Sequence, residues 1–202
     1  MCVLSGQGKY LKGTDLILTR YYSKTAGLIR PGFPNISGDI CMNKMQLGII
    51  LVILASFAIS AYYYPSMPGR LASHWNLQGD ADGYSGKLFG MFFVPALLAV
   101  MCFILYFIPN LDPLKANVAK FRAHYDRFIL ILALFMLYIH ALTIYWNLGR
   151  QFDFGQYLSP AFGILFLAVG KLVENAKPNW FIGIRTPWTL SSEKVWEKTH
   201  RI

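Results

Sequence analysis

The chain has 202 residues, of which 55% are hydrophobic and 16% aromatic, while only 14% are charged. Soluble domains carry about 25% charged residues, so this deficit points to lipid rather than water as the surrounding medium. A formal charge of +9 in so apolar a chain reads as lysine and arginine held at an anionic membrane face. With no recognisable DNA- or RNA-binding motif, no nucleic-acid partner is expected.

Residues 1–44 are polar, weakly periodic and punctuated by Gly32, Pro34 and Gly38. They read as an upstream extension, either disordered or the product of a misassigned start. Met42 and Met45, in MNKMQLGII, resemble an ordinary membrane-protein beginning. No signal peptide is expected, because the n-region pattern is missing and no small-residue cleavage site follows the first apolar run. Cys2, Cys41 and Cys102 show neither zinc-site spacing nor a disulfide framework.

Three uncharged runs follow, at 47–64, 88–108 and 128–148. At about 1.5 Å rise per residue, each matches a hydrocarbon core about 30 Å thick. A fourth run, 158–173, is shorter and contains Lys171, whose ammonium can reach the interface from near a helix end. The predicted fold is an all-α integral membrane protein, a helical bundle with about four transmembrane helices. The chain divides into 1–44, a membrane domain 45–157 with a loop at 65–87, and 158–202, which holds the fourth span and a tail.

Loop charge sets the orientation. Lysine and arginine number two between spans one and two (Arg70, Lys87) and four between spans two and three (Lys115, Lys120, Arg122, Arg127). Arg150 alone lies between spans three and four, while the tail has Lys177, Arg185, Lys194, Lys198 and Arg201. The positive-inside rule then puts both termini in the cytoplasm and the 65–87 loop outside the plasma membrane. Tyr62, Tyr63, Tyr64, Tyr145 and Trp146 fall at the outer interface, where aromatic rings favour the headgroup layer.

The outward loop, PSMPGRLASHWNLQGDADGYSGK, is rich in turn formers: Gly79, Asp80, Asp82 and Gly83 favour tight turns. His74, Asp80 and Asp82 invite a metal reading. With Gly83 at the invariant glycine of a calcium loop, however, the closing glutamate position is Phe89, and zinc lacks further ligands. An ordinary hydrogen-bonded turn is expected, with no metal and no cofactor.

At membrane depth, His140 sits mid-span, where a polar side chain faces the bundle and finds a partner on a neighbouring helix. Lys171 and Glu174, one turn apart, form a local ion pair. No HExxH, paired glutamates or GxSxG elbow is present, so no catalytic residue is expected and the chain is read as no enzyme. Beyond Lys171 the tail reads KLVENAKPNWFIGIRTPWTLSSEKVWEKTHRI. Pro178 ends the fourth helix, Gly183 allows close backbone approach, and Thr186-Pro187 forces an extended or turned conformation. Ser191 is the expected N-cap of a last helix, with Glu193 near its positive end and Val195, Trp196 and Thr199 on one face. Physics alone makes this an interfacial segment in which Arg185 faces phosphate or carbonyl.

NWFIGIRTPWTLSSEKVWEKTHR resembles the signature of the SdpI-type immunity family of prokaryotic membrane proteins. PGRLASHWNLQGDADGYSGK resembles a domain of unknown function that often precedes that signature. The resemblance covers most of the chain from about residue 45. It implies a multipass membrane protein that protects a cell from a secreted antimicrobial peptide toxin by binding at the membrane. Carried over by position as ligand- or partner-binding residues are Pro68, His74, Asn76, Gly79, Asp82 and Gly83 from the loop. Asn179, Gly183, Arg185, Thr186, Pro187, Trp188, Trp196 and His200 carry over from the tail. The lipid bilayer is one partner, with the peptide toxin outside and a cytosolic regulator inside. Family members continue past the Thr-His-Arg motif into further spans whereas this sequence stops at Ile202, which leaves an incomplete bundle, a fragment, or an oligomer open. Two alternatives stand beside immunity. One is a small transporter or exporter subunit using His140 with helix breaks at Pro95, Pro160, Gly163 and Gly170; the other is a membrane sensor whose tail captures a cytosolic regulator.

Overall fold

The computed structural model describes residues 43–76 and 78–201; the expected extension at 1–44 lies almost wholly outside the described residues. Four long apolar helices are present: α1 (Lys44–Tyr63), α2 (Lys87–Leu111), α4 (Arg122–Asn147) and α5 (Phe154–Asn175). Among the described residues three short helices accompany them, α3 (Lys115–Lys120), α6 (Pro187–Ser191) and α7 (Glu193–His200). The expected bundle of four membrane-length helices is present.

The loop at 65–87 is more than a turn. After a 3-10 turn at Tyr64–Ser66, β1 (Arg70–Trp75) pairs antiparallel with β2 (Ala81–Gly86), with irregular register around His74. The second strand, ADGYSG, is poor in the β-branched residues that mark strands. What holds it is its partner strand and the helix ends beneath.

α4 is the hub: α1, α2 and α5 all pack against it, and α1 also touches α2. α1 begins with a reciprocal cap, in which Asn43 Oδ1 accepts from Gln46 N (2.8 Å) and Gln46 Oε1 accepts from Asn43 N (3.1 Å). It turns a stripe of Val52, Ser56 and Ser60 inward, while Leu47, Ile50, Leu51 and Leu54 stay exposed on the outer surface. Small residues inside and branched ones outside is the arrangement expected where lipid, not water, surrounds the bundle.

α2 contains two prolines, and each is answered by a side chain from another helix. Proline has no N–H, so the carbonyl four residues earlier loses its helical donor. Pro95 frees the Met91 carbonyl, which accepts from Ser60 Oγ of α1 at 2.8 Å. Pro109 frees the Leu105 carbonyl, which accepts from the Tyr125 hydroxyl of α4 at 2.6 Å. A bare carbonyl in hydrocarbon costs several kcal/mol, so these two bonds permit the two prolines within the helix and also clamp it to its neighbours.

His140 joins the first of these. Its Nε2 lies 2.8 Å from Ser60 Oγ, and the residue is fully buried. Because the serine proton serves the Met91 carbonyl, His140 donates through Nε2 and the serine oxygen accepts. The expected histidine-to-neighbour bond is therefore present and ties α4, α1 and α2 at one level. The expected local ion pair is also present, with Lys171 Nζ 2.8 Å from Glu174 Oε2.

Candidate functional sites at the two ends of the bundle

Chain direction sorts the sites. α1 runs into the hairpin, α2 leaves it, and α4 ends where α5 begins, so the hairpin and the 148–153 connection share one end. The 112–121 turn and the tail share the other. Twenty-five residues of α2 separate the two by about 37 Å. The fourteen residues singled out in the sequence thus fall into two sites, six in the hairpin region and eight in the tail.

At the hairpin end, Asn76 shapes the turn: its Oδ1 accepts from Gln78 N (3.0 Å) and Asp80 N (2.9 Å). Gly79 has φ +86°, and a Cβ there would stand 2.9 Å from Asp153 Oδ1, the carboxylate that caps α5 through Gly155 N and Gln156 N. Gly83 sits opposite His74, where a Cβ would meet His74 Cβ at 2.7 Å. These three residues build the hairpin. His74 and Asp82 are exposed on it and paired, Nδ1 to Oδ1, at 2.5 Å. Pro68 is exposed in the approach to β1.

Sequence reasoning missed what docks the hairpin. The Asn147 side chain, at the last residue of α4, accepts from Ala72 N (2.8 Å) and donates to Ala72 O (3.1 Å), so one amide pairs with the strand as another strand would. Trp75 stacks on Phe154 at 4.0 Å between ring centroids and meets Trp146 edge-on at 5.7 Å. Met67, Leu71, Met91 and Ile144 form a small core under the hairpin. An asparagine two residues beyond the outer-interface aromatic Tyr145 was the available signal; nothing in its local spacing tells a docking amide from a helix-end asparagine.

At the other end, Asn179 is fully buried with its amide fully used: Oδ1 accepts from Phe181 N (2.9 Å) and Ile182 N (2.6 Å), and Nδ2 donates to Lys177 O and Ile182 O. Gly183, at φ +104°, brings the backbone against His200, where a Cβ would lie 2.6 Å from Nε2. His200 Nε2 accepts from Ile184 N (2.7 Å) while its Nδ1 donates to Trp196 O (2.8 Å). Trp196 is buried, stacks on His200 at 4.2 Å and donates from Nε1 to Ala176 O at 2.8 Å.

Three details of the tail differ from expectation. Thr186 opens a short first tail helix that was not expected, in a capping box with Thr189 and with Pro187 at the first position. Ser192 caps the last helix, with Ser191 closing the one before. The inward face of α7 is Trp196 and His200, an i,i+4 pair, while Val195 and Thr199 are exposed. Arg185 donates to the Trp180 carbonyl. Trp188, Trp180, Phe181 and Ile184 are exposed around it. Two residues the sequence did not mark anchor this unit: Asp112, buried, accepts from Trp180 N (2.9 Å) and Leu114 N (2.7 Å), and Asn117 donates to Pro178 O (2.9 Å).

A four-helix apolar bundle with a docked hairpin at one end and a folded tail at the other is a multipass membrane protein, in contact with the lipid bilayer. Comparisons with known proteins agree. Residues 51–99 match a domain of unknown function, DUF1648, and residues 175–202 match the SdpI/YfhL protein family. The chain is 29% identical over 160 residues to the immunity protein SdpI of Bacillus subtilis (strain 168), covering 79% of this chain and 74% of that protein. No solved structure matches the chain. The resemblance read from the loop and the tail is thus shown at both segments, and the two matched regions contain the hairpin site and the tail site in full.

Proposed function

We propose that the chain is a membrane immunity protein that protects its cell from a secreted antimicrobial peptide by binding at the membrane, without catalysis. The observation that carries this reading is the similarity to an immunity protein across most of both chains, beside family matches at 51–99 and 175–202. The hairpin end is the outward, peptide-facing end, and both termini lie in the cytoplasm, by the distribution of lysine and arginine. There His74 and Asp82 are exposed on a hairpin held rigidly by Asn147 and Trp75, a preorganised surface that loses little entropy on binding. The tail braces the opposite end through Trp196 and Asp112 and offers Arg185 and Trp188 to a cytosolic regulator.

The test is resistance. A sensitive host expressing the chain should survive a peptide toxin that kills the same host carrying an empty vector; equal killing would overturn the proposal. Orientation is tested in intact cells with a membrane-impermeant thiol reagent. A cysteine at Gln78 should be labelled and one at Arg185 should not.

A further inference from the structure

Tail residues Trp180, Phe181, Ile184 and Trp188 are all exposed, Trp180 and Trp188 by 52% and 71% against 1% for Trp196. Arg185 stands among them: it donates to the Trp180 carbonyl and has no carboxylate partner among the described residues. An exposed apolar cluster marks a surface that meets either a protein or a membrane, and its place in the fold decides between the two. Asp112, the first residue after α2, accepts from Trp180 N at 2.9 Å, and Ala176, the first after α5, accepts from Trp196 Nε1 at 2.8 Å. Both helices are of membrane length, so the tail is fastened where the hydrocarbon ends and no spacer carries it into water. Leu111, the last residue of α2, is itself 70% exposed, so the apolar outer surface of that span reaches the residue before the anchor.

Charge points the same way. Lys177, Arg185, Lys194, Lys198 and Arg201 in the tail stand against only Glu193 and Glu197. The hairpin end instead balances Arg70, Lys87 and Arg150 against Asp80, Asp82 and Asp153. The tail end is thus the one that complements an anionic surface. An arginine carries five N–H donors in a fork that matches a phosphate, and Arg185 gives one of them to Trp180 O. We infer that the tail lies in the plane of the membrane surface, with Trp180, Phe181, Ile184 and Trp188 in the headgroup layer and Arg185 on the phosphate of an anionic phospholipid. The headgroup layer is where tryptophan rings settle by preference. Lipid then covers the face that holds Arg185 and Trp188, so a cytosolic regulator gains these two residues only in exchange for lipid. The inference goes beyond the immunity reading and does not rest on it.

The test uses the full chain, labelled with 5-fluorotryptophan, in nanodiscs of phosphatidylcholine and phosphatidylglycerol. Each of the five tryptophans gives one fluorine resonance, assigned with single Trp→Phe variants. A lipid nitroxide placed next to the headgroup should remove the Trp180 and Trp188 signals, whereas a water-soluble gadolinium chelate should leave them in place. If the chelate removes them and the lipid nitroxide does not, the face is open to a protein and the inference is overturned. Carried by phosphatidylglycerol, the nitroxide should broaden both signals more than the same dose carried by phosphatidylcholine. Arg185→Gln should cut that preference about fivefold, the worth of one basic residue at an anionic surface, and Arg185→Lys should keep it. An unshifted Trp196 resonance shows that the tail stays folded in each variant. Should Arg185→Gln unfold the tail, the unaltered chain decides: about 1 M salt, which shortens the screening length to about 3 Å, should abolish the preference. A preference unchanged in folded Arg185→Gln, or one that survives the salt, overturns the phosphate contact. Neither toxin nor regulator enters these measurements, so their outcome is separate from that of the resistance assay.

Discussion

Ser60→Ala offers the sharpest test of the proline clamps. The change strips the Met91 carbonyl of its donor and leaves His140 Nε2 facing a methyl group. An interhelical hydrogen bond in a membrane is worth about 0.6 kcal/mol on average and up to about 1.7, and a buried group left unpaired costs about 1–3. Losing both bonds should therefore destabilise the bundle by about 2 kcal/mol. Pro95→Ala restores a backbone N–H at position 95, which can then serve Met91 within the helix. In that background Ser60→Ala loses only the His140 bond and should cost about 1 kcal/mol. The two changes should thus couple by about 1 kcal/mol, read from reversible unfolding of the four proteins of the cycle in mixed micelles. Any packing loss from Pro95→Ala itself cancels in the cycle. If Ser60→Ala costs the same in both backgrounds, within about 0.3 kcal/mol, the serine does not stand in for the missing helical donor, and the account of α2 fails.

Asn147→Ala should release the hairpin from α4: the two bonds to Ala72 go, and protection of hairpin amides in hydrogen exchange should fall about tenfold or more while α1–α2 amides are unaffected. Gly183→Ala should cost about 2 kcal/mol or more, since it imposes an unfavourable positive φ and drives a Cβ into His200; protease cleavage within the tail would report it, and an intact tail would contradict it. Trp196→Phe should retain the stack on His200 but lose the bond to Ala176 O, lowering stability by about 1 kcal/mol in the same micelle assay.

The four spans were legible because a bilayer demands about twenty apolar residues in a row and little else. Their ends were less so. α4 begins at Arg122 rather than at Phe128, because the polar turn RAHYDR is helical and pays its way through partners: Asp126 is buried yet bonded to Arg122 Nε (2.7 Å) and Asn43 Nδ2 (2.8 Å). The hairpin was hidden because β2 is held by its pairing with β1, which Asn147 and Trp75 dock onto the helix ends, and not by strand propensity. Of the fourteen site residues, the motif identified positions but not roles. Asn76, Gly79, Gly83, Asn179, Gly183 and His200 shape backbone, and only in three dimensions do His74, Asp82, Arg185 and Trp188 stand out, with Pro68 and Pro187, as the accessible ones.

The two clamps also bear on how the chain is made. Synthesis runs from α1 to α2, so Ser60 already waits in the bilayer when Pro95 arrives, and the first freed carbonyl is met at once. Tyr125 is translated only after α2 is complete, so until then the Leu105 carbonyl has headgroup water as its partner. α2 should accordingly stay near the insertion machinery until α4 emerges beside it, and a nascent chain halted before Tyr125 should remain crosslinkable there.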